Sequence, residues 1–209
     1  MSQTVIVIGA GGHAKVVIAT LQAAGYSVEA LYDDDESRWG TAFMGIPIVG
    51  PVAALPENSE HRAVIAIGCN NTRRLLAQEL NLQWINAVHP QACVHSSVVI
   101  GAGTVIFPGA VVQPDTILGD HVIVNTGATI DHDCVLGDFV HIAPGAHLAG
   151  GVEVGDGSFF GIASAAIPGM KIGSWSIVGA GGVVVNEVPD ATTVVGVPAR
   201  PLIPNLGSA

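Results

Sequence analysis

A six-residue repeat of apolar side chains dominates the second part of this chain. From Val94 onward every sixth residue is apolar through sixteen consecutive positions, and fourteen of these residues are Val, Ile or Leu. The positions are Val94, Ile100, Ile106, Val112, Leu118, Val124, Ile130, Leu136, Ile142, Leu148, Val154, Phe160, Ala166, Ile172, Val178 and Val184. A period of six fits neither a helix nor plain strand alternation, but it fits a short strand followed by a corner. The repeat therefore predicts stacked coils whose large residues fill one continuous interior.

The first part of the chain follows a different pattern, in which short apolar runs alternate with helix-like segments. Such alternation is typical of a parallel sheet covered by helices on both faces. We predict a Rossmann-like α/β half-domain over residues 1–88 and a repeat domain over residues 89–209 with a C-terminal tail. The predicted strands lie at 5–8, 28–32 and 63–67, and the predicted helices lie at 13–24 and 72–80.

Composition excludes several classes of partner. The formal net charge of −10 disfavours nucleic acid or an anionic membrane as a partner, because both require a basic surface. The three cysteines are odd in number and have no CxxC spacing, so we predict reduced thiols and neither a disulfide framework nor a zinc site. The first residues lack a basic segment and a long apolar run, which predicts a cytoplasmic protein.

Five segments carry a resemblance to a known family. They are VIGAGGHAKV at 7–16, AIGCNNTR at 66–73, NAVHP at 86–90, NTGATIDHDC at 125–134 and GVPAR at 196–200. With the repeats, they make the chain similar to the hexapeptide-repeat acyltransferases, in the branch of bacterial sialic acid O-acetyltransferases and nucleotide-aminosugar N-acetyltransferases. The resemblance implies a left-handed parallel β-helix with three hexapeptides in each coil and about five coils. It also implies a homotrimer with acetyl-CoA in a groove between neighbouring subunits.

His132 is the candidate general base. An amine that attacks a thioester must lose a proton, and a histidine with an ordinary pKa near 6.5 suits that step. His132 stands between Asp131 and Asp133, two residues after inward-facing Ile130, so we expect it at a corner and facing outward. The resemblance implies that His132 is the base and that Asp133 supports it. Two alternatives remain open: Asp131 as the partner, or an exposed histidine between two turn-forming aspartates.

The evidence for a functional role differs among the other histidines of the repeat domain. His141 precedes inward-facing Ile142, and the resemblance implies a place for it near the thioester or the substrate. The alternative is a solvent-exposed strand residue. Asn125 is either a substrate ligand or an ordinary corner residue. The remaining histidines of the repeat domain are predicted to lie on the surface: His95, His121 and His147.

Coenzyme A is polyanionic at its adenosine end, and the repeat domain contains only two cations, Lys171 and Arg200. Both come late in the chain, so we predict that one or both contact the coenzyme phosphates, with ordinary surface charge as the alternative. Small residues would let the pantetheine arm approach the backbone, unless they are simply repeat corners. These are Gly150, Gly151, Ala180 and Gly181.

Gly9, Gly11 and Ala14 match a loose G-x-G-x-x-A turn after a strand, and Asp33 follows about twenty residues later. A unit that ends before residue 90 is too short for a dinucleotide fold, so one half would bind a mononucleotide. Gly11 and Gly12 could present N–H groups to phosphate, unless the turn is purely structural. The resemblance implies that this domain holds the nucleotide of a nucleotide-linked sugar. The residues in the matching loops are His13, Lys15, Asp33, Asp34, Gly68, Asn70 and Arg73.

The function predicted from these features is acetyl-CoA-dependent N-acetylation of the amine of a nucleotide-linked amino sugar, with a 4-amino sugar as the favoured acceptor, for surface glycan synthesis. O-acetylation of sialic acid or another sugar hydroxyl is the first alternative. A non-catalytic β-helix scaffold or nucleotide-binding partner is the second. Some hexapeptide proteins bind metal through histidines, but no supporting ligand set is evident here, and we predict no metal.

Overall fold

The computed structural model describes residues 3–55 and 61–202. The first part is a six-stranded sheet flanked by two helices, α1 (Gly12–Ala23) and α2 (Asn70–Glu79). Its strand order is β3-β4-β2-β1-β5-β6, and every pairing is parallel except β3 with β4. The strands are β1 (Gln3–Ile8), β2 (Tyr26–Tyr32), β3 (Ala42–Phe43), β4 (Ile46–Gly50), β5 (Arg62–Ile65) and β6 (Gln83–Trp84).

The turn between β1 and α1 depends on glycine. Gly9 has a φ of +99°, and a Cβ there would lie 2.8 Å from Cγ1 of Ile67 and 3.2 Å from the Ala66 carbonyl oxygen. Only glycine fits this close approach without strain. From this turn α1 packs its buried side chains against the sheet at helical spacing, and these residues are Ala14, Val17, Ile18 and Leu21.

The second part is a parallel β-helix, as predicted. Its short strands form sheets of eight, six and five strands, and the parallel pairs lie 18 residues apart except at the last coil, where the step is 16. The final two strands pair antiparallel. The strands are β7 (Ala87–Val88), β8 (Cys93–Val94), β9 (Val99–Ile100), β10 (Val105–Ile106), β11 (Val111–Val112), β12 (Ile117–Leu118), β13 (Ile123–Val124), β14 (Thr129–Ile130), β15 (Val135–Leu136), β16 (His141–Ile142), β17 (His147–Leu148), β18 (Glu153–Val154), β19 (Phe159–Phe160), β20 (Ala165–Ala166), β21 (Lys171–Ile172), β22 (Ile177–Val178), β23 (Val183–Val184), β24 (Thr193–Val195) and β25 (Arg200–Pro201).

The six-residue repeat fills the interior of the β-helix. Every sixth residue from Ile106 to Val184 is buried, whereas Val94 and Ile100 in the first coil are half-buried. Smaller buried side chains, such as Ala128 and Cys134, occupy the positions between them. A continuous core of this kind explains why no single repeat could fold alone.

The two parts share a second hydrophobic core. Val105, Phe107 and Ile123 face outward from the β-helix and pack with buried residues of the α/β part, including Ala14 of α1. Strand β7 pairs with β10, so the β-helix begins at Ala87, just before the boundary predicted at residue 88. Within residues 3–55 and 61–202, no helix has the length and apolar character needed to span a membrane.

Candidate active site

His132 lies at the corner between β14 and β15, with its side chain pointing away from the interior. Its Nδ1 is 2.7 Å from Oδ2 of Asp133, and its backbone N–H donates to Oδ1 of Asp131 at 2.8 Å. The side chains of His132 and Asp133 are 59% and 66% exposed. Asp133 therefore orients the imidazole directly, while Asp131 fixes the corner backbone, which separates the two candidate partners by role.

Gly150 lies against the imidazole, at the same corner one coil later. A Cβ on Gly150 would sit 2.6 Å from Cε1 and 2.7 Å from Nε2 of His132. The adjacent Gly151 N–H donates to the His132 carbonyl at 2.9 Å. The Gly150 N–H, by contrast, takes part in none of the hydrogen bonds among the described residues. The imidazole therefore packs against Gly150, a residue without a side chain whose N–H is unused among the described residues.

The two aspartates increase the basicity of His132. Its pKa is raised above the ordinary value, first by the hydrogen bond with Asp133 and then by the negative charge of Asp131. With Nδ1–H donating to Asp133, the lone pair of the neutral ring is on Nε2, the nitrogen beside Gly150. This arrangement can accept a proton from a group bound outside the corner.

His141 faces outward from β16 as expected, but the α/β part covers it and leaves it only 7% exposed. The alternative of a solvent-exposed strand residue is therefore wrong. Its Nδ1 lies 3.3 Å from the Gly68 carbonyl oxygen, and its Nε2 lies 3.1 Å from Nδ2 of Asn125. The carbonyl can only accept, so Nδ1 carries the proton and Nε2 accepts from the amide. Burial and the nearby charge of Arg73 lower the pKa of His141 to about 3.

The structure also corrects the prediction for His121. It was predicted to lie on the surface, yet it is only 4% exposed. Its ring is stacked on the Phe139 ring, with the two centroids 5.4 Å apart, and forms an edge-to-face contact with the Trp84 ring at a centroid distance of 5.0 Å. Burial lowers its pKa to about 4. The predictions for His95 and His147 are confirmed, since both are exposed.

Arg73 and Asn70 lie between the two parts of the protein. Arg73 is only 1% exposed, and its guanidinium donates to the carbonyls of His121 and Phe139 at 2.9 and 2.7 Å. Nδ2 of Asn70 donates to the carbonyls of Gly157 and Ser158 at 2.9 and 3.2 Å. Both residues were predicted as substrate ligands, but in this structure their side-chain donors are bonded to protein backbone.

The glycine turn and α1 leave room for a ligand. A Cβ built on Gly11 or on Gly12 would meet no atom within 4 Å, and no acidic residue lies in the first turn of α1. Lys15 is exposed, with its ammonium 5.9 Å from the Phe43 ring centroid. His13 is half-buried, 5.4 Å from the Phe107 ring, and burial lowers its pKa to about 4.

Asp33 and Asp34 are tied to neighbouring backbone. Asp33 accepts from the N–H groups of Ala10 and Asp35 at 2.6 and 3.0 Å, and Asp34 accepts from Val52 at 2.9 Å. Sequence reasoning missed Arg38, whose guanidinium donates to the Ala10 carbonyl at 2.5 Å beside the glycine turn. The spacing of Arg38 from the turn gave no signal, because a 3-10 helix between β2 and β3 brings it back.

The predicted coenzyme residues lie further along the β-helix. Lys171 pairs with Glu153 at 3.0 Å, and both line a cavity of about 440 Å³ whose other charged residues, Glu187 and Asp190, are acidic. Arg200 is exposed and donates to the Ala199 carbonyl at 2.9 Å. Gly151, Ala180 and Gly181 lie at corners, with φ values of +69° for Gly151 and +65° for Gly181. Among the described residues, no group of three or more His, Cys, Asp or Glu is arranged to hold a metal.

Two family models match the chain. The model described as the PglD N-terminal domain covers residues 4–80, and the model described as bacterial transferase hexapeptide (six repeats) covers residues 88–132. The UDP-N-acetylbacillosamine N-acetyltransferase of Bacillus subtilis is 40% identical over 113 residues, about half of each chain. An uncharacterised mimivirus protein is 33% identical over 107 residues, or 21% of its own length. The matches thus span at most about half of these relatives.

Solved structures match over almost the whole chain. A variant of perosamine N-acetyltransferase from Caulobacter crescentus, in complex with CoA and GDP-perosamine, is 43% identical with a TM-score of 0.91. The match covers 96% of this chain and 97% of that one. The acetyltransferase domain of PglB from Neisseria gonorrhoeae, in complex with acetyl coenzyme A, is 38% identical with a TM-score of 0.89, covering 97% and 100% of the two chains.

Proposed function

This chain belongs to the PglD-type family of hexapeptide-repeat acetyltransferases, and we propose that it transfers an acetyl group from acetyl-CoA to the amine of a nucleotide-linked amino sugar. The observation that carries the proposal is the oriented His132–Asp133 pair beside Gly150, on a chain that also has an open glycine turn. The structure bound to CoA and GDP-perosamine shares both parts of the fold. The product would serve surface glycan synthesis.

The chemistry requires one proton acceptor and one site for developing negative charge. Nε2 of His132 takes a proton from the amine as its nitrogen attacks the thioester carbonyl, and the C–N bond forms. Collapse of the tetrahedral intermediate breaks the C–S bond, and His132 returns the proton to the departing thiolate. Asp133 holds the ring through Nδ1 and stabilises the imidazolium formed between these steps.

We propose the Gly150 N–H as a donor to the thioester oxygen in the transition state. Gly150 packs against the His132 ring near Nε2, and its N–H is unused among the described residues. Backbone N–H groups fixed before reaction stabilise an oxyanion efficiently, because no reorganisation is needed when the charge develops. The base and the oxyanion donor would then act on adjacent atoms of the same reacting centre.

The coenzyme would run along the later coils, in a groove completed by a neighbouring subunit of a homotrimer. Arg200 is the better of the two cations for the phosphates, because Lys171 already pairs with Glu153. Gly151, Ala180 and Gly181 would allow the pantetheine arm to approach the backbone. This placement leaves His132 at one end of the coenzyme, where the acetyl group is needed.

The nucleotide would bind at the carboxyl edge of the N-terminal sheet, with its phosphates at Gly11 and Gly12 and near the cations Lys15 and Arg38. The boundary near residue 88 separates this domain from the acetyltransferase domain. We also propose a cytoplasmic location. Cys69 and Cys93 are free and exposed, which suits a reducing compartment.

The test is thiol release from acetyl-CoA by the purified protein, with UDP- and GDP-linked 4-amino sugars and free sialic acid as acceptors. Release with a nucleotide amino sugar is the expected result, and it would identify the nucleotide. Release with sialic acid alone would replace the proposal with O-acetylation. No release with any acceptor, together with no binding of acetyl-CoA, would favour a scaffold.

A further inference from the structure

Helix α2 lies along a column of corner residues of the β-helix. His121, Phe139, Gly157 and Trp175 follow one another at intervals of 18 residues and have φ values of +53°, +60°, +66° and +57°. Their N–H groups bond to the preceding coil, as in Phe139 to Asp120 at 2.8 Å. The carbonyls of the first three accept side-chain donors from the beginning of α2. The fourth member, Trp175, has Arg74 over its ring at 5.2 Å.

Arg73 is the centre of this contact. Its Nε donates to the His121 carbonyl and one terminal nitrogen to the Phe139 carbonyl, so it joins two successive coils. The other terminal nitrogen donates to the carbonyls of Ile67 and Gly68 at 3.1 and 3.3 Å. A further bond at 3.1 Å reaches Oδ1 of Asn70. No carboxylate forms a salt bridge with it among the described residues, so oxygen dipoles alone compensate this buried charge.

Arg73 donates hydrogen bonds to the loop 66–70, which follows β5 and ends at Asn70, the first residue of α2. In the sheet, β1 has β2 on one side and β5 on the other. The strands that follow β1 in the chain are therefore added first on one side of it, up to β4, and then on the other side, from β5. Ligands of open parallel sheets bind at such a switch point, outside the carboxyl ends of the two strands. The glycine turn after β1 is one wall of that crevice, and the loop 66–70 is the other.

The same loop reaches the acetyltransferase part through a second connection. The Gly68 carbonyl accepts from Arg73 and from Nδ1 of His141, and His141 in turn accepts from Asn125. The loop is therefore held by side chains that are themselves anchored on the β-helix. Its position relative to the β-helix depends on a planar donor group with several fixed directions, which arginine has and lysine does not.

We propose that Arg73 is a positioning residue, which holds the loop 66–70 on the β-helix so that the nucleotide-linked sugar bound in the crevice is presented to the acetyl donor. This rests on the proposed function. Arg73 does not touch the sugar nucleotide, and its loss acts through the loop. Binding of acetyl-CoA, which uses the later coils, does not depend on it.

The test compares Arg73→Lys with a neighbouring control, Arg74→Met, on the full-length protein. Arg74 belongs to the same helix and contacts Trp175, but it makes no hydrogen bond to the loop 66–70. For Arg73→Lys we expect the KM for the nucleotide amino sugar to rise roughly tenfold or more, with the KM for acetyl-CoA within about twofold. For Arg74→Met both constants should stay within about twofold.

Three results would overturn the proposal: a lower melting temperature of Arg73→Lys with both KM values unchanged, an equal rise in both, or the same selective rise in Arg74→Met. Hydrogen exchange without substrates separates this proposal from the proposed function. Peptides covering 66–76 should exchange faster in Arg73→Lys than in the wild type and Arg74→Met. A wild type inactive on every acceptor would refute the proposed function, whereas unchanged exchange would refute the role of Arg73.

Discussion

Replacing Gly150 with alanine tests the active-site geometry with the smallest available change. The added Cβ would lie 2.6 Å from Cε1 and 2.7 Å from Nε2 of His132, whereas carbon atoms in contact prefer about 3.5–4.0 Å. The His132 side chain is 59% exposed and can move into solvent, so the ring should give way rather than the backbone. Gly150 does not have a left-handed φ, so alanine introduces no backbone strain there.

The size of the effect follows from that displacement. The imidazole must shift by about 1 Å to restore ordinary contact distances, and a misplacement of this size costs about 10²-fold in rate. The shift also strains the 2.7 Å hydrogen bond to Asp133, which orients the ring. We therefore expect kcat of Gly150→Ala to fall about 10²-fold, with the melting temperature nearly unchanged because the displaced group is on the surface.

The assay is thiol release at saturating acetyl-CoA, with thermal unfolding measured on the same samples. Gly109→Ala is the matched control. Gly109 has a φ of +73° and only ordinary contacts near a built Cβ, so alanine should cost about 1–2 kcal/mol of stability without changing kcat. A Gly150→Ala enzyme with wild-type kcat would refute the inference that this glycine sets the position of the catalytic ring.

Three further predictions concern the histidines. His132→Ala should keep the fold and lower kcat by about 10²–10⁴-fold in the thiol-release assay, and unchanged turnover would remove His132 from the mechanism. Asp133→Asn should move the acid limb of kcat to lower pH, because the carboxylate that raises the pKa of His132 is lost; a limb that does not move would contradict this. The free energy of unfolding should fall as pH drops from about 6.5 towards 4, by up to about 1.4 kcal/mol per pH unit for each buried imidazole. In this range the unfolded chain binds protons that half-buried His13 and buried His121 and His141 do not bind in the folded protein, where their pKa values are about 4, 4 and 3. Urea titrations at several pH values measure this loss, and His141→Asn should show a smaller pH slope than the wild type.

The interior of the β-helix could be predicted residue by residue, but its outer surface could not. A six-residue period specifies which side chains face inward, and every predicted position from Ile106 to Val184 is buried. The period says nothing about which outward faces a second domain covers. His121 and His147 are both outward-facing residues of the repeats, yet one is 4% exposed and the other lies in solvent. The difference comes from the α/β part, whose docking leaves no periodic signal.

The same limit explains Arg73 and Arg74. They are adjacent in a segment that matches the family, and nothing in their sequence spacing separates a buried residue from one at the edge of the interface. The helix turns them to different sides, so that one bonds to His121 and Phe139 and the other lies over Trp175. The relation of His132 to Gly150 could have been found, because residues 18 apart occupy equivalent positions in successive coils.

The two best-supported histidines have opposite environments, and this decides which one can act as the base. His132 is exposed between carboxylates that raise its pKa, and its Nε2, which lies beside Gly150, forms no hydrogen bond among the described residues. His141 is buried near Arg73 with its pKa lowered to about 3, and both of its nitrogens are engaged. A nitrogen that already accepts from Asn125 has no lone pair for a substrate proton. We therefore assign the proposed proton transfer to His132, while the contacts of His141 hold it in one neutral tautomer that orients the Asn125 amide.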